Sequence, residues 1–389
     1  MKRINLYKII CYMVLVVSFI LNIDCSPSKT VHFKEVEWEK LDMENLAEQK
    51  DYPEASAVFL LDDGEFNVGE NSIFTRHIIV RILNEAGLRY ANIEIPFDEG
   101  NEVHNIKGRT IKKDGTVIEL QPSDIHEKTL FPDFILYADS KAKVFAMPGV
   151  ETGSVIEYSY SILYKIPFAP SWKFQREEPV LLSRITLEVP DFLKYRFLLA
   201  ARKDFQIDKS ISHPAGKVKA IFKAKETTPL KSEPFMPPPS EITSKIYFSL
   251  SALSLYGVTA TIEGDSWEIL GKHYWQMLKK NIKGDKAIKS QVNELTANFT
   301  SEKEKIETIY DFVQSKIRYV AIEIKRGRVI PHEPLKVFTN KYGDCKDKAF
   351  LFITMLKEVG IDAFPVLART SYSGKTVEGF VSGQQFNHM

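Results

Sequence analysis

The hydrophobic periodicity of this 389-residue chain changes once, near Asp265, and that change constrains the fold more than any other feature. Upstream, between about residues 58 and 224, apolar residues come in short runs or in alternation. Ile185, Leu187 and Val189 alternate with polar residues, as in a strand with one buried face. Downstream, apolar residues recur every three or four positions, which is typical of amphipathic helices. Strands followed by helices predict a multidomain chain in which a β domain precedes an α+β domain.

The upstream half is predicted to be an antiparallel β-sandwich over residues 51–264, preceded by an N-terminal segment, residues 26–50. Turn signals such as Asp114-Gly115 separate its strands, because this pair suits the positive φ angles of a two-residue hairpin. A Pro-rich segment, residues 227–241, favours extended backbone and is predicted to cross within the β region. Strands are expected at Ile73–Leu83, Leu88–Ile95, Val155–Leu163, Arg184–Val189 and within Tyr247–Ile262.

The downstream region, residues 265–389, is predicted to contain helices followed by strands. Two pairs have the spacing of reciprocal helix caps: Asp265 with Glu268, and Ser301 with Glu304. A third helix is expected from near Cys345 to Val359, and its largely apolar sequence predicts that it is the buried centre of the domain. Gly360 is the predicted left-handed cap of that helix. Strands are then expected at Ile361–Ala368 and Val377–His388.

The N-terminus, residues 1–25, is predicted to be an export signal. A positively charged start precedes the apolar stretch Ile9–Leu21, whose 13 residues are too few to span a bilayer comfortably. The alternative is a short membrane anchor that stays attached, because the A-x-A cleavage pattern is missing. Cys25 resembles the lipid-modified cysteine of a bacterial lipoprotein signal, although Asp24 departs from that pattern. We therefore expect an exported protein of the periplasm or cell envelope, with Cys25 as a candidate lipid anchor to the membrane.

The composition excludes several functional classes. Lys and Arg number 52 against 51 Asp and Glu, so there is no cationic excess to attract nucleic acid. The 3 cysteines cannot build a disulfide scaffold, and no CxxC or paired Cys/His spacing indicates zinc, so no cofactor or metal is predicted. Two of these cysteines lie in the predicted signal. The exported body then retains Cys345, whose lone thiol requires another explanation in an oxidising compartment.

Cys345 lies at the predicted start of the buried third helix. Backbone N–H groups at a helix N-terminus are unpaired and carry partial positive charge, which stabilises a thiolate. Together with the neighbouring Lys346 and Lys348, this position is expected to lower the pKa of the thiol. The alternative is a buried structural cysteine, the commonest state of a free thiol. It fits poorly here, because the flanking residues are charged, and we predict a catalytic nucleophile.

His388 lies close to the end of the chain, in Phe386-Asn387-His388-Met389. A lone histidine on a strand is more often structural than catalytic. If that strand folds back beside the cysteine helix, however, the imidazole comes within reach of the thiol and can hold its proton.

Several segments together resemble the transglutaminase-like superfamily, in the form of bacterial exported proteins that join this core to an N-terminal β-sandwich domain of unknown function. In the core they are Ile317–Val320, Pro331-His332, Tyr342–Ala349, Gly360–Ala363 and Phe386–His388. Upstream they are Tyr52–Ala57, Met147–Tyr158 and Phe235–Pro238. The resemblance covers about residues 50–389 and implies a papain-like fold with a Cys–His–Asp triad, in which Cys345 is the nucleophile and His388 the base.

The triad acid implied by the resemblance follows the histidine on the next strand, yet this sequence stops one residue after His388. The core over residues 265–389 is therefore expected to be incomplete, truncated at its C-terminus. Asp344, Asp347 and Asp362 are interpreted as a helix-start charge, a surface charge and a turn residue, so none is assigned the third role.

The oxyanion donors are only partly defined by the sequence. One is expected to be the backbone N–H of Cys345 at the helix start. A second is expected from Tyr319 or from the loop Gly327–His332, although packing is the better interpretation of Tyr319. His332 is interpreted as a loop residue, because no second metal ligand accompanies it.

Two functions from different classes follow. The first is an acyl-transfer enzyme that attacks peptide or glutamine-type amides of a protein substrate, with hydrolysis slightly favoured over cross-linking. The second is an inactive scaffold of the cell envelope, whose β-sandwich binds a protein or a glycan, because fold alone does not determine function.

Overall fold

A computed structural model of the protein describes residues 31–389, apart from 44–45, 70, 99, 131–134, 139, 166, 168, 203–204, 232, 256–257, 264 and 324–329. The predicted export signal and Cys25 lie outside the described residues. Within them, the helices are all too short or too polar to cross a membrane.

The β strands occupy the first two thirds of the chain, with short additions later. In chain order they are β1 (Ala57–Val68), β2 (Ser72–Ile82), β3 (Asn92–Phe97), β4 (Glu102–Ile111), β5 (Val117–Glu119), β6 (His126–Thr129), β7 (Ile135–Ala138), β8 (Lys141–Ala146), β9 (Val155–Tyr164), β10 (Trp172–Lys173), β11 (Val180–Pro190), β12 (Leu193–Ala200), β13 (Asp208–Ser212), β14 (Lys217–Thr227), β15 (Lys245–Leu255), β16 (Val258–Thr261), β17 (Arg318–Tyr319), β18 (Ala321–Glu323) and β19 (Tyr342–Gly343).

The helices come almost entirely after the strands. In chain order they are α1 (Pro239–Ile242), α2 (Trp267–Leu278), α3 (Lys286–Thr296), α4 (Glu302–Lys316), α5 (Pro334–Asn340) and α6 (Cys345–Glu358).

The β region is built on a large sheet with the strand order β13-β14-β11-β1-β2-β9-β4-β5. A smaller sheet, β10-β15-β12 with β16 beside β15, packs against it. Phe222 of the large sheet and Phe248 of the small sheet are both buried, and their rings lie 6.0 Å apart. A third sheet contains β3, β8 and β6. The predicted layered β fold ahead of an α+β region is confirmed.

Among the described strand pairs formed within residues 51–264, one departs from the antiparallel prediction. β1 and β11 run parallel, with Phe59 opposite Val180 and Asn67 opposite Glu188. Parallel neighbours need a long connection, and the chain between these strands contains nine others. Alternation within each strand predicts its buried face but carries no information about the direction of its partner.

Most strand predictions are correct to within a few residues, but Leu88–Ile95 is wrong. A 3-10 helix spans Glu85–Ala91, and β3 begins only at Asn92. The Asn84 side chain accepts a hydrogen bond from the Ala86 N–H and so starts a turn where the apolar residues indicated a strand. The predicted Asp114-Gly115 turn joins β4 to β5, with Gly115 at φ +86°. The Pro-rich segment connects β14 to β15 and contains α1.

The helix predictions are largely confirmed. Ser301 caps α4 by accepting from the Glu304 N–H, and α6 begins at Cys345, as expected. The first cap is Ser266 rather than Asp265, because the Ser266 hydroxyl accepts from the Ile269 N–H. In α6, Phe350, Leu351 and Met355 are fully buried, which confirms the helix as the centre of its core. Gly360 follows it at φ +77°.

The two strands predicted after α6 are wrong. Over residues 361–389 the only β pairing is an isolated antiparallel bridge between Ala368 and His388. Instead, side chains form hydrogen bonds with backbone groups that strand pairing would otherwise occupy: the Val377 N–H donates to the Gln385 Oε1 at 2.7 Å. Two 3-10 turns, Ser371–Ser373 and Gly383–Gln385, break the remaining length. We call residues 368–389 the histidine segment.

Candidate active site

The start of α6 is held by a reciprocal cap. The Asp344 carboxylate accepts from the Asp347 N–H at 3.2 Å, and the Asp347 carboxylate accepts from the Asp344 N–H at 3.2 Å. The short strand β19 leads into this cap and pairs with β17. A side chain at Gly343 would place a Cβ 2.6 Å from the Asp347 Cβ, so glycine is required at this approach. These contacts position Cys345 as the first residue of a rigid, buried helix.

The Cys345 thiol is half-buried and lies against backbone donors. The backbone N–H groups of Met389 and Lys346 lie near its sulfur and favour the thiolate. Burial and the nearby Asp344 carboxylate nevertheless raise the pKa of the Cys345 thiol, so the expected lowering of its pKa is wrong. Lys346 acts in the expected direction and lowers the pKa of the thiol, although its ammonium pairs with Asp344. Lys348 instead donates to the Ile317 carbonyl at 2.8 Å.

The histidine segment brings His388 to the same place. Its backbone exchanges hydrogen bonds with Ala368, at 3.0 and 2.8 Å, and the backbone N–H of the next residue, Met389, lies near the Cys345 sulfur. His388 is therefore the chain neighbour of the residue whose backbone lies near the thiol, and its side chain is exposed. In the described part of the chain, no hydrogen bond joins the imidazole to the thiol or to a carboxylate. The structure brings the backbone beside His388 near the thiol, and the catalytic roles of both residues remain predictions.

A second histidine contacts the start of α6. The His332 Nδ1 lies 3.0 Å from the Asp347 Oδ2, and the His332 N–H donates to the Asp347 Oδ1 at 2.7 Å. The interpretation of Asp347 as a surface charge is wrong, because its side chain is buried. The three-residue spacing of Asp344 and Asp347 is the sequence signal that could have identified it as a cap. His332 is a half-exposed loop residue that joins this loop to the helix.

Of the predicted oxyanion donors, the structure describes the Cys345 N–H and Tyr319. Among the described residues, none accepts a hydrogen bond from the Cys345 N–H, as expected for the first turn of a helix. Tyr319 lies in β17 opposite Gly343, two residues before the cysteine, and is 44% exposed. Part of the alternative loop, residues 327–329, lies outside the described residues. Tyr319 thus remains a predicted donor, on the strand that pairs with the residues just before Cys345.

An apolar cavity of about 350 Å³ adjoins the histidine segment. Met389, whose backbone N–H lies near the thiol, is one of its lining residues. Aromatic side chains form much of the remaining wall: Trp267, Tyr274, Trp275, Phe364 and Phe386. The cavity can accommodate an apolar side chain close to the candidate nucleophile. Over the described residues, no group of three or more His, Cys, Asp or Glu side chains could hold a metal ion.

Comparison with known families assigns both halves of the chain. Residues 289–387 match the transglutaminase-like superfamily, and residues 70–227 match a domain family of unknown function, DUF3857. The chain therefore joins a DUF3857 domain to a transglutaminase-like core, and the resemblance noted from the sequence is confirmed. No curated protein has a significantly similar sequence.

Among solved structures, the chain is similar to a Parabacteroides distasonis protein provisionally described as a protease. The TM-score is 0.60 at 18% identity, over 79% of this chain and 59% of that one. The chain thus spans about three fifths of the solved protein, and at this identity the likeness establishes a shared fold. A Legionella pneumophila protein, provisionally described as nutrient-binding, matches with a TM-score of 0.23 at 11% identity, over 73% of this chain and 93% of that one.

Proposed function

We propose that the protein is an exported, thiol-dependent acyl-transfer enzyme that acts on peptide or glutamine-type amides. Cys345 is the nucleophile and His388 the base. The observation that carries this proposal is the place of the Cys345 sulfur at the first position of α6, near the backbone N–H of the residue after His388. The match of residues 289–387 to the transglutaminase-like superfamily supports the same class of chemistry.

The reaction divides into two transfers. His388 takes the thiol proton as the Cys345 sulfur attacks the amide carbonyl carbon, and the oxyanion accepts a hydrogen bond from the Cys345 N–H. The carbonyl re-forms as the C–N bond breaks, and His388 returns the proton to the departing amine. The resulting thioester then reacts with water, which yields an acid, or with an amine, which yields a cross-link. We favour water slightly, because it is always present outside the cell.

The substrate class follows from the surroundings of the thiol. The aromatic cavity beside Met389 suits an apolar side chain of a protein or peptide substrate. The apolar stretch at the N-terminus supports export to the periplasm or cell envelope, with Cys25 as the candidate site of lipid attachment.

A second function, an inactive envelope scaffold, has one specific observation in its favour. Burial and Asp344 raise the pKa of the Cys345 thiol, and this disfavours a resting thiolate. In that case the β region would bind a protein or glycan, and the cysteine core would serve as a platform.

Activity measurements on the full-length protein distinguish the two functions. Amine release from casein without incorporation of an added fluorescent amine reports hydrolysis, and incorporation of that amine into casein reports cross-linking. Replacing Cys345→Ala should abolish both, together with labelling by a thiol-directed probe. Replacing His388→Ala should lower activity by on the order of 10²–10⁴-fold, the usual contribution of a general base.

His213→Ala is the matched control, because His213 is exposed on the β region and should leave activity unchanged. Activity that persists in the Cys345→Ala protein contradicts the enzyme. Wild-type protein that releases no amine and incorporates none, but binds an envelope component, supports the scaffold.

A further inference from the structure

The histidine segment is attached to the β region through a buried carboxylate, that of Glu263. This residue follows β16, at the junction between the β region and α2. Its Oε1 accepts from the Ser382 hydroxyl at 2.9 Å and from the Gly383 N–H at 3.0 Å. Its Oε2 accepts from the Ser249 hydroxyl of β15 at 2.5 Å. One side chain therefore connects a strand of the small sheet to the segment that carries His388.

Burying the Glu263 carboxylate at this junction costs desolvation free energy. It is 7% exposed, and none of the Lys, Arg or His side chains in the described ranges forms an ion pair with it. Its charge is offset only by the three hydrogen bonds, two of which come from the histidine segment. An apolar residue would fill the same space without the desolvation cost, so the carboxylate indicates a need for one defined position of this segment.

The path from Glu263 to His388 is short and well packed. Ser382 and Gly383 begin the 3-10 turn Gly383–Gln385. Gly383 lies against Tyr274, where an added Cβ would meet the Tyr274 hydroxyl at 2.6 Å. Phe386 then packs edge-on against Trp267 at 5.7 Å. A displacement at the turn is therefore transmitted to the backbone of His388 rather than absorbed by a loose loop.

Other hydrogen bonds also attach the histidine segment to the β region. Arg196 of β12 donates to the Val381 carbonyl at 2.9 Å. The Ser240 hydroxyl, in α1 of the Pro-rich segment, donates to the Ser373 carbonyl at 2.6 Å. Ser373 in turn accepts from the Asn387 amide at 3.0 Å, next to His388. The β region thus contacts the segment at several points, and Glu263 provides the most buried of them.

We propose that Glu263 is a positioning residue, through which the β region holds the histidine segment so that His388 faces Cys345. This inference rests on the proposed function and adds a role for the β region in it. The carboxylate touches no reacting atom, and its effect is exerted through the orientation of the turn at Ser382 and Gly383.

The test measures the alkylation rate of Cys345 by iodoacetamide from about pH 5 to about pH 10, beside casein hydrolysis and amine incorporation. If His388 shares the thiol proton, the alkylation rate of the wild-type protein is raised at neutral pH. This part of the pH profile, the neutral limb, should be missing in His388→Ala. Glu263→Ala should move the profile towards that of His388→Ala and lower activity by about 10²-fold, the effect of a small misplacement of a catalytic group.

Glu263→Gln is the rescue variant, because its amide oxygen can accept from Ser382 and Gly383 while its NH₂ donates to the Ser249 hydroxyl. It should retain the wild-type profile. Glu268→Ala, which removes an exposed carboxylate of α2 paired only with Lys272, is the matched control and should have no effect. If Glu263→Ala does not fold, Ser382→Ala removes one donor and should shift the profile in the same direction by a smaller amount.

The outcomes separate the inference from the proposed function. Suppose that His388→Ala alters the pH profile of Cys345 alkylation. A wild-type profile in folded Glu263→Ala protein then overturns the positioning role. If Glu263→Ala does not fold, a wild-type profile in Ser382→Ala overturns it. If His388→Ala itself leaves the profile and the activity unchanged, the proposed function fails first. Loss of the neutral limb in Glu263→Gln as well as in Glu263→Ala would contradict the hydrogen-bond mechanism.

Discussion

At the scale of single residues, two opposing effects act on the Cys345 sulfur. Its position at the first turn of α6, with N–H donors from Lys346 and Met389, favours the thiolate. Burial and the Asp344 charge favour the thiol, and they are stronger, so the pKa of Cys345 is raised. A protonated resting thiol needs a base to react at neutral pH, which is the role we assign to His388.

The raised pKa of Cys345 predicts how stability depends on pH. Above the unfolded-state thiol pKa of about 8.5, the unfolded chain loses its proton while the folded protein keeps it, so alkaline pH favours unfolding. This contribution is complete below that pH and is lost as the pH rises through the folded-state pKa. Urea unfolding of wild-type and Cys345→Ser protein should therefore diverge between neutral and alkaline pH, with the wild type losing free energy faster. Parallel curves would contradict the raised pKa.

At the scale of elements, the start of α6 organises the site. The reciprocal cap between Asp344 and Asp347 fixes the first turn. The Asp347 carboxylate also accepts from the His332 backbone N–H and contacts the His332 imidazole. One carboxylate thus connects the loop before α5 to the helix of the nucleophile. The cap is a local pattern of two residues three apart, whereas the contact with His332 depends on how the loop packs.

Replacing Asp347→Ala should therefore affect both stability and the thiol. Loss of the Asp347 carboxylate leaves the buried Asp344 N–H without its acceptor, which costs about 1–3 kcal/mol of unfolding free energy, and the loosened helix start should lower the activity attributed to Cys345. Asp285→Ala is the matched control, because Asp285 caps α3 by accepting from the Ala287 N–H at 2.8 Å. It should lose a similar free energy in urea unfolding while the rate per folded molecule stays unchanged. Equal activity losses in both variants would contradict a specific role of the α6 cap.

At the scale of the whole molecule, the chain has two main hydrophobic cores. One lies between the sheets of the β region, and Phe222 is at its centre. The other lies among α3, α4, α5 and α6, and Leu351 is fully buried there. The contacts of the histidine segment with the β region, such as those of Glu263 and Arg196, are mainly polar. Two cores joined by polar contacts are expected to unfold as separate cooperative units.

Calorimetry should therefore resolve two transitions, and core substitutions should affect them separately. Phe222→Ala should destabilise the β region by about 3–5 kcal/mol, and Leu351→Ala should destabilise the helical core by about 2–5 kcal/mol. Each variant should lower the temperature of its own transition and leave the other nearly unchanged. A single transition that both variants shift equally would indicate one cooperative unit instead.

Local patterns of residues predict the parts of this protein that depend on neighbours in the chain. The starts of α4 and α6 follow from caps whose partners lie three residues apart. Strand alternation located β2, β9 and β11, and the segments around Cys345 and His388 were sufficient to recognise the superfamily of the core.

Other features depend on distant residues and follow from tertiary packing alone. The direction of the Cys345 pKa follows from burial, which the flanking charges do not predict. Glu263 meets Ser382 across 119 residues, and β1 meets β11 in parallel across a long connection. No local pattern encodes these pairings, because each joins residues that are far apart in the chain and meet only when the elements pack together.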